Sequence, residues 1–155
     1  MQLREWIEGR CGEFGSDGPA ALLATGGDTD RPVRLCWEAP PAGPPVLTVR
    51  ADTVADAVCS AGGLICDAAL SGWEVVVQTA DRSSPCALRI LGAAVMLPDP
   101  NDGGWTTRPP GRDDSELRHV PSTAAMVFKA RAAELVHPGG CAPGMETFRV
   151  IAEFP

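Results

Sequence analysis

No run of lysine and arginine occurs anywhere in this chain, and its 13 Lys and Arg are outnumbered by 20 Asp and Glu, for a formal charge of −7. That sign repels phosphate backbones and anionic lipid, which argues against nucleic acid and a membrane surface as partners. No segment approaches the ~20 consecutive apolar residues of a membrane span. The opening MQLREWIEGR is charged rather than a signal-type apolar run. The expectation is a cytoplasmic protein whose six cysteines are free thiols in a reducing compartment.

Several motifs that would announce a reaction are missing too. The cysteines show no C-x-x-C, and no second His/Cys pair joins His137 and Cys141 to complete a zinc site. His119 and His137, the two histidines, read as surface loop residues. The glycine doublets at 26–27, 62–63, 103–104 and 139–140 sit in turn sequence, and no G-x-x-x-x-G-K-[ST] occurs. Ser83-Ser84 and Ser122-Thr123 lack the G-x-S-x-G of a nucleophile elbow. Cys36, Cys59 and Cys86 stand in apolar surroundings and read as small core residues rather than activated thiols. The acids Asp28, Asp30, Asp113, Asp114 and Glu116 read as solvated loop residues. Tyrosine is absent, and Trp37 and Trp73 are expected in the core or at an interface.

What is present is a chain of 155 residues, read as a single domain over 1–155. At that size roughly 70% of the unfolded-chain surface can be buried, so neither disulfide nor metal is required. With 17 Gly and 15 Pro, much of the chain must be turn.

Residues 2–10 suit a short helix. Residues 20–25 and 32–38 read as two strands joined by the turn sequence GGDTD, with Val33, Leu35 and Trp37 alternating against Arg34, Cys36 and Glu38. VLTVR, 46–50, is a short strand. Residues 52–61 open on an Asp or Thr cap and carry Val54, Ala55, Val58 and Cys59 at helical spacing, with Gly62-Gly63 as the stop. The period of 64–70 fits either state, and 73–80 reads as a strand.

Residues 86–97 read as a long strand with Gly92 at a bulge; the rival is a helix ending at Gly92 and then a strand. Residues 98–122 are rich in Pro, Gly and Asp, with at most a helical turn near 113–118. Residues 123–136 favour helix by alanine propensity, yet alternate in period two. Residues 145–154 close the chain as a strand. Six or seven strands with one or two helices suggest a barrel or sandwich.

In this order the elements resemble the FMN-binding split barrels of the pyridoxamine-phosphate-oxidase-like superfamily. The resemblance rests on the hairpin ALLATGGDTDRPVRLCW, on VLTVRADTVADAV after it, and on CALRILGAAVMLPD, which supplies Leu88, Arg89, Gly92, Ala93 and Asp99. It implies a mainly β, α+β fold: a six- to seven-stranded split β-barrel with one or two short helices, in which 123–136 is a strand. It also implies a homodimer with FMN between subunits, and a flavin-dependent oxidoreductase acting on a small molecule.

Transferred to this chain, the phosphate contacts would be Arg34, Thr48, Arg50 and Thr53. A dianionic phosphate needs cationic or N–H donors of that kind. Val54-Ala55 stand where the resemblance calls for Arg-Lys. Hence deazaflavin, haem or no cofactor are alternatives, and a cofactor-free binding or regulatory dimer is the competing function. A third reading treats the resemblance as accidental and gives a small α/β domain.

Overall fold

The computed structural model describes residues 20–28, 31–39, 43–98, 116–141 and 144–154. The expected helix at 2–10, and residues 99–115 within the expected loop, lie outside them. Strands β1 (Ala20–Asp28) and β2 (Arg31–Ala39) form the expected hairpin, paired antiparallel from Ala20↔Ala39 to Asp28↔Arg31. The strands run further into the turn sequence than alternation alone indicated. Strand β3 (Val46–Arg50) continues the antiparallel order on β2.

Helix α1 (Val54–Leu70) then carries the chain to β4 (Glu74–Gln78), which lies parallel to β3. Helix α2 (Pro85–Ile90) leads to β5 (Ala94–Met96), parallel to β4. Strand β6 (Glu116–His119), helix α3 (Thr123–Val136) and β7 (Glu146–Phe154) complete the order, with β7 antiparallel to both β6 and β1. The result is a mixed seven-stranded sheet, β5-β4-β3-β2-β1-β7-β6, with three described helices, an α+β architecture. The sheet does not close: β5 and β6 are its two edges. Among the described residues no helix is long and apolar enough to cross a membrane.

One face of the sheet is the core. Leu22, Ala24, Val33, Leu35, Trp37, Leu47, Val49, Val75, Val77, Leu117 and Phe148 all point to it and are buried, as period-two alternation requires. Helix α1 packs on this face, and α3 packs on α1 and α2. Helix α1 begins where the sequence placed its cap: the Thr53 hydroxyl accepts from the Asp56 amide at 3.1 Å. It ends in a Schellman motif, with Gly72 at φ 85° and N–H groups of Gly72 and Trp73 on the carbonyls of Ala69 and Ala68. That exit sets Trp73 edge-on to Trp37, with ring centroids 4.3 Å apart.

Four expectations about elements are corrected. First, Gly62-Gly63 does not end α1, which runs through both. The missing Cβ atoms make room for neighbours: a Cβ on Gly63 would lie 2.5 Å from Pro121 Cγ, and one on Gly62 3.1 Å from Lys129 Cγ. Second, 86–97 is not one strand. The helix that ends at Gly92 is present, because Gly92 (φ 86°) and Ala93 donate to Arg89 and Leu88 in a second Schellman motif. Third, 123–136 is helix, not strand. Ser122 caps it from its side chain, and its buried residues Ala125, Lys129, Ala132 and Ala133 fall at helical spacing. Fourth, residues 116–118 of the expected helical turn belong to strand β6.

The cysteine and histidine assignments change as well. Cys59 and Cys141 are joined as a disulfide, Cα–Cα 5.0 Å, so the six are not all free thiols. Cys36 lies on the outward parity of β2 and Cys86 is exposed at the start of α2; among the described residues the buried cysteine outside the disulfide is Cys66. His119 is buried in β6, not in a surface loop, with Nε2 2.9 Å from Asp67 Oδ2.

Candidate functional site

The outer face of the sheet carries a polar row that the register makes explicit. Reading across from the β6 edge, neighbouring positions are Glu116, Arg149, Thr25, Arg34, Arg50, Gln78 and Met96. Three arginines therefore stand on strands β7, β2 and β3 at one level. At 4.7–4.9 Å per strand the row from Arg149 to Arg50 spans about 14 Å. Arg50 donates from Nε and Nη2 to Gln78 Oε1, at 3.3 and 3.2 Å, which fixes the direction of its guanidinium. Glu116 beside Arg149 is engaged by Arg118, Nε to Oε1 2.7 Å.

Thr25, Pro32 and Arg149 also line a cleft of about 660 Å³, together with the backbone of Gly26 and Gly27. That volume is within the range of small-molecule sites. Gly27 has φ 84°, and a Cβ there would meet Ser60 Oγ at 2.8 Å, so glycine keeps the hairpin end close to α1. Cys59 and Ser60 of α1 form one wall, and Met145, Glu146, Thr147 and Phe148 the other.

A buried ion pair also lines it. Lys129 Nζ donates to Glu146 Oε2 at 2.8 Å, the two residues being 6% and 5% exposed. The same carboxylate accepts the amides of Gly63 and Leu64, at 2.9 and 2.7 Å, in the middle of α1. A buried charge needs this degree of compensation.

Of the four residues singled out for phosphate, three share the outward face. Arg34 and Arg50 are register partners, and Thr48 stands two residues before Arg50 on the same side of β3. Thr53 is not with them: it caps α1. The amide of Val54 is also taken, donating to Asp81 Oδ2 at 2.9 Å. Hydrogen bonds from the Ser83 hydroxyl, and then from the Val54 and Ser83 amides, hold the Asp81 carboxyl below the usual carboxylate range. A carboxylate therefore occupies the place that a helix N-terminus offers an anion. With Asp56 in the first turn as well, the residues at the start of α1 do not fit a flavin phosphate.

Two further clusters are structural. Asp67 accepts from Ser122 Oγ (2.5 Å) and the Ser122 amide (2.9 Å) and holds His119, which ties α1 to the start of α3. The serine bonds the acid rather than the imidazole, so this is not a nucleophile–base arrangement. Burial, with the Asp67 carboxylate adjoining, pushes the Cys66 thiol up and away from thiolate chemistry. Among the described residues no group of three or more His, Cys, Asp and Glu is arranged to hold a metal ion.

Sequence reasoning missed Arg149 and the cleft. The signal for Arg149 was available in ETFRV: if Phe148 faces the core, Arg149 faces out, as Arg34 does beside Val33. No protein-family model, curated protein or solved structure matches the chain.

Proposed function

We propose that this chain is a binding module for a small anionic molecule, held where the cleft opens onto the arginine row. The observation that carries the reading is the position of Thr25 and Arg149, which belong to both features. A phosphate or carboxylate lying over Thr25 would have Arg149 on one side and Arg34 on the other, with Arg50 one strand further. Guanidinium groups bind such anions by paired hydrogen bonds. In a chain of net charge −7, three cations aligned on one face are a local reversal of sign. The polar lining residues Thr25, Ser60 and Thr147, together with the exposed Met145, suit a ligand with both a charged group and an apolar body.

FMN is one molecule of this class and stays in the proposal as a ligand of the arginine face, not of the α1 start. The link to split barrels rests on the β1–β2 hairpin and on Arg34, Thr48 and Arg50. The chain's role is binding; flavin-dependent oxidoreduction would need the cofactor to supply the chemistry. A homodimer also remains proposed. Its contact surface would be the outer side of α3, where Met126, Val127, Phe128 and Leu135 are exposed and Arg131 cancels Glu134. Two copies of a negatively charged chain would meet there with least repulsion. The compartment is proposed as cytoplasmic, where a disulfide is usually redox-active rather than permanent.

Calorimetric titration with FMN and with inorganic pyrophosphate at low salt tests the reading. We expect binding that weakens with added salt and falls at least tenfold in Arg149→Ala and in Arg34→Ala. No heat with either probe, or unchanged affinity in both variants, would refute it.

A further inference from the structure

The α3–β7 connection grips α1 at two points that both belong to the cleft. Residue 141 is bonded to Cys59, which lines the cleft wall. Five residues later, Glu146 accepts the amides of Gly63 and Leu64, one helical turn beyond Cys59. Between them stand Gly144, at φ 116°, and the cleft-lining Met145. The cleft wall that begins at Met145 and Glu146 is therefore tied to α1 by a carboxylate within the wall and by a disulfide a few residues before it. Cys59 and Cys141 are both half-buried, so a reductant reaches the bond. The remaining described cysteines are placed differently: Cys66 is buried, Cys36 is on the far face of β2, and Cys86 is exposed on α2.

We propose that Cys59–Cys141 is a reversible thiol–disulfide site that sets whether this wall of the cleft is held. The reagent is a dithiol, small or protein-borne. Its thiolate attacks one sulfur and displaces the other cysteine as thiolate, which takes up a proton. The second thiol of the reagent then resolves the mixed disulfide. Two cysteine thiols and one reagent disulfide result, and oxidised glutathione drives the reverse exchange. With the bond open, Cys141 loses its covalent tie to α1, and of these two holds the one at Glu146 remains, so the cleft wall at Met145 and Glu146 is less firmly fixed. The consequence for ligand affinity rests on the binding role proposed above; the opening itself does not.

The test is made on the full chain. After treatment with oxidised glutathione, alkylation under denaturing conditions should count four free thiols of the six cysteines, and dithiothreitol should restore six. Hydrogen exchange with mass readout should then show at least tenfold faster exchange in peptides covering 59–66 and 144–149 after reduction, and none in 33–37 and 47–50. The Cys59→Ser/Cys141→Ser variant should exchange like the reduced protein and ignore dithiothreitol. Six thiols under oxidising conditions, or equal exchange in both redox forms, would overturn the proposal. Pyrophosphate titration of both forms separates the two claims. An affinity difference of at least fivefold is expected. Should pyrophosphate bind neither form, the cleft reading fails, while hydrogen exchange still decides the redox site.

Discussion

Gly62 and Gly63 are adjacent in α1, and the structure gives alanine opposite effects at the two positions. Helix propensity alone favours both substitutions, by about 1 kcal/mol each. At Gly62 the new methyl would lie 3.1 Å from Lys129 Cγ and 3.6 Å from Leu91 Cδ1. A lysine stem shifts by a few tenths of an ångström through its torsions while its ammonium stays on Glu146. Most of the propensity gain should survive, and stability should rise by up to about 1 kcal/mol. At Gly63 the methyl would lie 2.5 and 2.8 Å from two carbons of the Pro121 ring and 3.0 Å from Glu146 Oε1. Neither neighbour yields easily, since the ring is rigid and the carboxylate is held by Lys129 and two helix amides. Overpacking costs about 1–3 kcal/mol, and loosening one buried hydrogen bond adds about 1–3 kcal/mol. The net expectation for Gly63→Ala is a loss of about 2–3 kcal/mol. In a chain of this length that is a fall in Tm of roughly 5–10 °C. Urea unfolding of both variants reads the difference directly. If Gly63→Ala were as stable as Gly62→Ala, the close packing of α1 on Pro121 and Glu146 would be wrong.

Three other perturbations test separate parts of the account. Lys129→Met leaves Glu146 buried without its counter-ion and should cost about 3 kcal/mol by urea unfolding, with part recovered in Lys129→Met/Glu146→Leu; no loss would show that the pair is not buried as described. Asp81 has its folded-state value depressed, so its stabilisation is complete above about pH 4 and is lost as pH falls through that lowered value. The stability gap between the wild type and Asp81→Asn should therefore hold from pH 7 to 5 and narrow towards pH 2, and a constant gap would contradict the assignment. Reducing Cys59–Cys141, which are 82 residues apart, removes a constraint worth about 4.5 kcal/mol in the chain-entropy picture. Calorimetry in dithiothreitol should show Tm lower by roughly 10–15 °C, and an unchanged Tm would mean that the bond does not form.

Local pattern carried much of the fold. Alternation in 32–38 gave the facing of β2 residue by residue, the β-branched run in 73–80 marked β4, and 46–50 and 145–154 read as the strands β3 and β7. Thr53 was legible as a cap because its side chain acts only three residues away. At 123–136 the resemblance outweighed local chemistry, and at 86–97 a bulged strand was preferred to the helix that ends at Gly92. Gly92 just after the stretch PCALRIL is a C-terminal cap signal, and the alanines of 123–136 are a helix signal. Both pointed to the observed helices.

Gly62-Gly63 was misread for a different reason. A glycine that ends a helix and one that admits a neighbour look alike until the neighbour is known. The disulfide was beyond reach, since spacing does not fix which cysteines pair. The cleft was also beyond reach, because it is assembled from the hairpin, α1, β6, α3 and β7. Arg34 and Arg50 could be proposed from one strand pair, but Arg149 joins them only through the β1–β7 register.

The most direct test of the binding role is to map where an anion touches the protein. Amide chemical shifts would be followed while inorganic pyrophosphate, and separately FMN, is titrated into the labelled chain. The largest changes are expected at Thr25, Arg34, Thr147 and Arg149, with Arg50 next and the start of α1 silent. Changes centred on Val54 and Ser83, or none anywhere on the outer face of the sheet, would contradict it.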